Sequence, residues 1–167
     1  MRFRFKGLKE YVKKIENLSN SLNAEVCVEN AVTEGSKVVS KITLEALEKM
    51  PTDDRRWATP ENKRNGLRSY EKKDLIASWG ITPLDIKGNL IDRKTGVDRG
   101  YNRGGTPNVV IARSLEKGTS FMVKNPVISR ASRKARKPCL EAMQESLNRD
   151  IDRIFTNNQK RIQRSKI

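Results

Sequence analysis

Histidine is absent from the 167-residue chain. That removes the Ser-His-Asp and Cys-His nucleophile systems and every zinc site that needs imidazole. Cysteine occurs only at Cys27 and Cys139, without CxxC or metal-ligand spacing, so free thiols are expected and a disulfide scaffold is not. Aromatic residues are few: two Trp, three Tyr and four Phe. Long apolar runs are missing too. The longest, Val109-Val110-Ile111-Ala112, falls far short of the roughly 20 residues that cross a bilayer. Met1-Arg2-Phe3-Arg4-Phe5-Lys6 lacks the apolar stretch of a signal peptide. Leu, Ile, Val and Phe make up about 23% of the chain, just above the roughly 20% below which a highly charged chain stays disordered. One domain over residues 1–155 is expected, with a small core, long polar excursions and a basic tail over 156–167.

What the chain has in excess is positive charge: 35 Lys and Arg against 20 Asp and Glu, a formal net charge of +15. Such a surface attracts nucleic acid, anionic membrane or an acidic protein face. The surplus sits in three stretches: residues 2–14, residues 124–137 with no acid at all, and residues 153–166, again unopposed. Charge spread over exposed elements fits this better than one compact groove. Solvated Lys and Arg faces without a partner are the plainer reading.

Periodicity predicts the elements. Phe3 and Phe5 alternate with Arg2, Arg4 and Lys6 as a strand, and Leu8, Tyr11, Val12, Ile15, Leu18 and Leu22 stripe a helix. A second helix is expected from near Asn30 to Met50, ended by Pro51. Residues 51–70 read as a loop. Leu75, Ala77, Trp79 and Ile81 alternate as a strand, residues 84–91 read as a hairpin, and residues 92–108 read as a mobile loop. Val109 to Leu115 reads as a strand closed by Gly118. Residues 119–137 read as a basic arm, and Pro138 opens a C-terminal helix striped by Leu140, Met143, Leu147, Ile151 and Ile154. The class is α+β, a small antiparallel sheet packed on an N-terminal helix, a long second helix and a C-terminal helix.

Chemistry is sparse. The segment Gly88 to Thr95 has the outline of a phosphate loop, but Arg93 stands where glycine is needed and the segment lies in a hairpin. Asp53-Asp54 is followed by Arg55-Arg56, which points to a charge-paired turn and not a cation site. Arg99-Gly100-Tyr101-Asn102-Arg103-Gly104-Gly105 is similar to an RGG segment, with a plain mobile loop as the other reading. Glu141 and Glu145 read as solvated residues near a helix N-terminus. No catalytic residue, metal or cofactor is expected.

Three motifs in order resemble a known family: Arg64-Asn65-Gly66-Leu67-Arg68-Ser69; Ala112-Arg113-Ser114-Leu115-Glu116-Lys117-Gly118-Thr119, ending in an E-x-G-T turn; and Ala135-Arg136-Lys137-Pro138-Cys139-Leu140-Glu141-Ala142-Met143, similar to an A-R-P-F-L-x-P-A-L helix start. These patterns resemble the neck or tail-completion proteins of long-tailed bacteriophages. In the third, Lys137 separates the Arg and Pro, and Cys139 stands for Phe. The resemblance implies a non-enzymatic virion component at the head–tail junction. It would form a ring, sixfold, around the DNA channel, between a head-closure or connector ring and the tail terminator or tail tube. Non-specific contact with genomic DNA and no membrane partner are expected. A free-standing nucleic-acid-binding protein is the alternative.

Within the motifs, Gly118 is expected at φ > 0, Thr119 to cap the turn, and Leu140 to begin a buried stripe. Gly66, Leu67, Glu116 and Pro138 complete the fold-defining set. Phe121, Met122 and Val123 with Arg130, Arg133, Lys134, Arg136 and Lys137 combine an apolar anchor with a charged rim, which suits a partner-docking arm. The other reading is that Phe121 to Val123 folds back on the domain's own core.

Overall fold

The structure, a computed structural model, describes residues 21–88 and 90–164. The strand expected at 2–6, and the helix expected at 8–22 as far as residue 20, lie outside the described residues. The elements run α1 (Ser21–Glu48), α2 (Ser69–Ala77), β1 (Trp79–Ile81), β2 (Asp85–Lys87), β3 (Leu90–Asp92), β4 (Thr95–Val97), α3 (Asn108–Lys117) and α4 (Val127–Arg164). This is the α+β class expected from the sequence, with antiparallel strands.

The helices α1 and α4 pack along each other. Asn30 Nδ2 donates to Asp150 Oδ2 at 3.0 Å, while Gly35 lies against Met143 and Cys139, so the two run antiparallel. Small residues let the axes approach. Ala31 and Ala135 are fully buried, and a Cβ at position 35 would lie 2.6 Å from Met143 Cγ and 3.0 Å from Cys139 Sγ. The helix α1 starts earlier than the expected Asn30 because Cys27, Val28 and Ala31 already belong to the buried face. Buried Thr43 satisfies its hydroxyl by donating to the Val39 carbonyl at 2.8 Å.

The largest departure is α4. It begins after Pro126, so most of the expected arm 119–137 is helix and only residues 119–126 remain outside it. Pro138 is therefore inside a helix, where it removes the hydrogen bond to the Lys134 carbonyl, and does not open one. Leu140 is exposed and does not begin the stripe. The buried stripe is Val127, Ala131, Ala135, Cys139, Met143 and Leu147, at intervals of four. Glu141 and Glu145 lie mid-helix on its exposed side, and the backbone of the expected tail stays helical to Arg164.

A second core gathers Leu47, Met50, Leu67, Leu75, Leu115 and Met122 at the C-terminal end of α1. Two expected strands are helical here. Leu75 belongs to α2, and only Trp79–Ile81 of the 75–81 run is extended. The run from Val109 is helix α3, because Asn108, Ile111 and Leu115 form its buried face while Val109 and Val110 stay exposed.

The strands form one interrupted hairpin. Its outer pairs are Trp79↔Val97, Gly80↔Gly96 and Ile81↔Thr95, and its inner pairs are Asp85↔Asp92, Ile86↔Ile91 and Lys87↔Leu90. The Thr82 N–H donates to the Lys94 carbonyl at 2.8 Å, after which Pro83 and Leu84 face Arg93 alone. Two residues opposite one make a bulge, at a proline that has no N–H for the ladder. Gly88 takes φ 57° at the tip. The hairpin is pinned to α1 by Trp79 Nε1 on Ser40 Oγ (3.2 Å) and Arg93 Nη1 on Thr33 Oγ1 (2.8 Å).

Both expected loops are fastened. Residues 51–68 bridge to themselves through Thr52 and Leu67, and the Asp53 N–H donates to the Leu67 carbonyl at 2.9 Å. Residues 92–108 contain β4, and the following turn is closed by the Asn102 N–H on the Thr106 carbonyl (2.9 Å) and by the Thr106 N–H on Asn102 Oδ1 (2.8 Å).

Candidate docking surface

The first motif meets the segment that follows the second at one corner. The Arg64 N–H donates to the Phe121 carbonyl and the Val123 N–H to the Arg64 carbonyl, each at 2.9 Å, so residues 121–123 pair with the loop as a short extended segment. Extended backbone alternates its side chains. Met122 points into the second core and is buried, whereas Phe121 and Val123 are exposed to 52% and 43%. The expected docking triplet is thereby divided: Met122 is core and does not dock, and its neighbours face outward.

The E-x-G-T turn has a physical account. At the end of α3, Glu116 reaches across to the start of α4 and accepts from the Ile128 N–H at 2.7 Å and from the N–H and hydroxyl of Ser129. A carboxylate there satisfies two of the helix's first amides and opposes the positive end of its dipole. Gly118 ends a helix, not a strand, but it does take positive φ (75°), and a Cβ there would meet Lys124 N at 3.0 Å. Thr119 Oγ1 accepts from the Phe121 N–H at 3.1 Å, closing the turn. In the first motif, a Cβ on Gly66 would sit 2.6 Å from the Pro51 carbonyl oxygen, so only glycine fits. Leu67 is buried beside it.

Carboxylates tie down the same loop. Arg55 grips Asp53 with Nη2 on Oδ2 at 2.6 Å, and the Asn65 N–H donates to the same oxygen at 2.8 Å. The Arg55 guanidinium first, and the Asn65 amide next, hold the Asp53 carboxyl well below the usual range. Asp54 accepts from the hydroxyl and amide of Ser69 at the start of α2, which lowers its pKa in that order of cause. Asp53 with Arg55 forms the expected charge-paired turn, whereas Asp54 is used at the start of α2. Arg64 pairs with Glu71 at 3.3 Å in a half-buried contact.

Beyond the corner, the exposed side of α4 carries Arg130, Arg133, Lys134 and Lys137 at spacings of three and four, with Arg136 beside them. Arg130 is fixed on Asn125 Oδ1, and Arg133 Nε donates to the Ser129 carbonyl at 3.3 Å. Lys137 of this row lies 3.8 Å from Glu141. The row begins in the first turn of α4, seven residues after Val123. Sequence reasoning missed Trp57, exposed to 78%, whereas Tyr101, exposed to 71%, lies in the RGG-like segment singled out above. Isolated aromatic residues in polar loops give no periodic signal.

Burial pushes the Cys139 thiol up, and burial with Asp150 nearby does the same to Cys27, so neither side chain is a ready thiolate. Among the described residues no three His, Cys, Asp or Glu converge as metal ligands, and no helix is long and apolar enough to cross a membrane. Searches against family models, curated proteins and solved structures found no match to this chain.

Proposed function

We propose that the chain is a non-enzymatic structural component of a tailed bacteriophage virion, a neck or tail-completion subunit. It assembles as a closed sixfold ring around the DNA channel and joins head to tail. The observation that carries this reading is the corner where Arg64 of one motif pairs by backbone with Phe121 and Val123, in the segment that follows the Glu116–Thr119 turn of another. Fold-defining residues separated in sequence are expected to meet in this way if the motifs belong to one family pattern.

The partners on this reading are the neighbouring copies, the head-closure or connector ring on one side, and the tail terminator or tail tube on the other. Phe121 and Val123 supply an apolar anchor, and Arg130, Arg133 and Lys134 supply a rim for acidic faces of a neighbouring ring. A head-to-tail interface that closes buries surface which a chain with this little apolar content leaves open as a monomer. Two variants test it during particle production: Phe121→Ser with Val123→Ser, and Arg130→Glu with Arg133→Glu and Lys134→Glu. The expected outcome is a retained urea midpoint with separate heads and tails accumulating from the first variant, and slowed joining from the second. Normal joining with both variants would overturn the reading.

A further inference from the structure

On the loops beyond the docking row, guanidinium groups and aromatic rings form one strip drawn from three separate segments. Arg56 stacks over the Trp57 ring at 5.6 Å from its centroid. Arg68 donates to the Arg56 carbonyl (3.4 Å) and to the Tyr70 hydroxyl (3.3 Å). The Tyr70 hydroxyl lies against Gly104, and the neighbouring Arg103 is anchored by its backbone N–H on Asp74 Oδ2 at 2.9 Å. Tyr101, 71% exposed, stands on the same turn.

The acids of this strip are used inward. Asp53 and Asp54 accept from Arg55, Asn65 and Ser69, and Asp74 holds the Arg103 backbone and lies 3.8 Å from its Nε. Outward it presents Arg56 and Arg103, the latter with its side chain 80% exposed, while Arg68 has its Nε buried and its other nitrogens on the Arg56 carbonyl and the Tyr70 hydroxyl. The exposed large apolar side chains on the strip are both aromatic, Trp57 and Tyr101. In contrast, the arm that begins the docking row exposes aliphatic Val123 beside Phe121.

We propose that this strip binds single-stranded nucleic acid, with phosphates on Arg56 and Arg103, which Arg68 helps to position, and an unpaired base stacked on Trp57. Three features favour this partner over an acidic protein: planar cations beside ring faces, no exposed aliphatic side chain between them, and loops already fixed before binding. Stacking and guanidinium contacts of this kind are tolerant of sequence. The inference is independent of the head–tail reading, because it uses none of the residues assigned to docking.

The test is titration of the full chain with fluorescently labelled oligothymidylate, read by anisotropy and by tryptophan emission. The chain has two tryptophans, and Trp79 is half-buried with its N–H on Ser40, so quenching should report Trp57. Binding should weaken with a slope of about −1.4 in log K against log salt, from two phosphates at roughly 0.7 each. Trp57→Ala should weaken binding by about 5- to 150-fold, the range for losing one stacked base. Trp57→Phe should keep the binding and lose the quenching. Duplex of the same length should bind more weakly. No binding at low salt, or duplex bound as tightly as single strand with Trp57→Ala unaffected, would overturn the proposal.

Discussion

Along the α1–α4 pair the core is laid down at intervals of three and four residues, whereas at the C-terminal end of α1 it is collected from α1, a loop, two short helices, the 119–126 arm and the first turn of α4. The first core depends on close approach. Glycine, alanine and serine at the contact bring two long helices together, and dispersion over a long seam does the rest. The second depends on polar fastening, with Asp54 at the start of α2 and Glu116 at the start of α4. Its apolar residues come from segments that do not share a period, so carboxylate contacts at the helix starts set where each segment lies. A helical seam tolerates exposed variation along its length, while a gathered core turns a single inward residue into a joint between several segments.

The sharpest way to break this contrast is at the arm. Met122→Ala should cost about 2–5 kcal/mol in urea unfolding, the range for truncating a buried large side chain. Phe121→Ser and Val123→Ser should each stay within about 0.5 kcal/mol, as exposed substitutions do. If all three cost alike, the arm is core throughout and the outward face assigned to docking is lost.

A smaller effect sharpens the other side. Gly35→Ala should cost about 1–3 kcal/mol, because the new methyl meets Met143 and Cys139 across the seam. The same change at Gly96, where a Cβ has nothing within 4 Å, should be near neutral. Equal midpoints for the two variants would show that the helices are not held at the distance described.

This contrast also explains what could be read from the sequence. The hairpin at 84–91 was legible from its glycine turn, the end of α1 from Pro51, and the α+β class from the grouping of elements. The start of α4 was not legible, because its buried face at Ala131, Ser132 and Ala135 consists of small residues that carry little hydrophobic signal, while Arg and Lys dominate the same stretch. Val109 to Leu115 misled for the opposite reason. Its β-branched residues favour a strand, but Ile111 and Leu115 are the two that the core takes, and their spacing of four is helical. In the candidate site, the positive φ of Gly118 followed from residue type. The reach of Glu116 to α4 and the juxtaposition of Trp57, Arg68 and Arg103 are long-range, and a local reading does not contain them.

The most direct test of the head–tail reading is an electron-microscopy reconstruction of particles made by a phage that encodes this chain, compared with particles made when the chain is deleted. The expected result is a closed ring of copies at the junction of capsid and tail, around the genome channel, and unjoined heads and tails on deletion. Joined, infectious particles from the deletion, or a reconstruction in which the junction holds no copy of this chain, would contradict it.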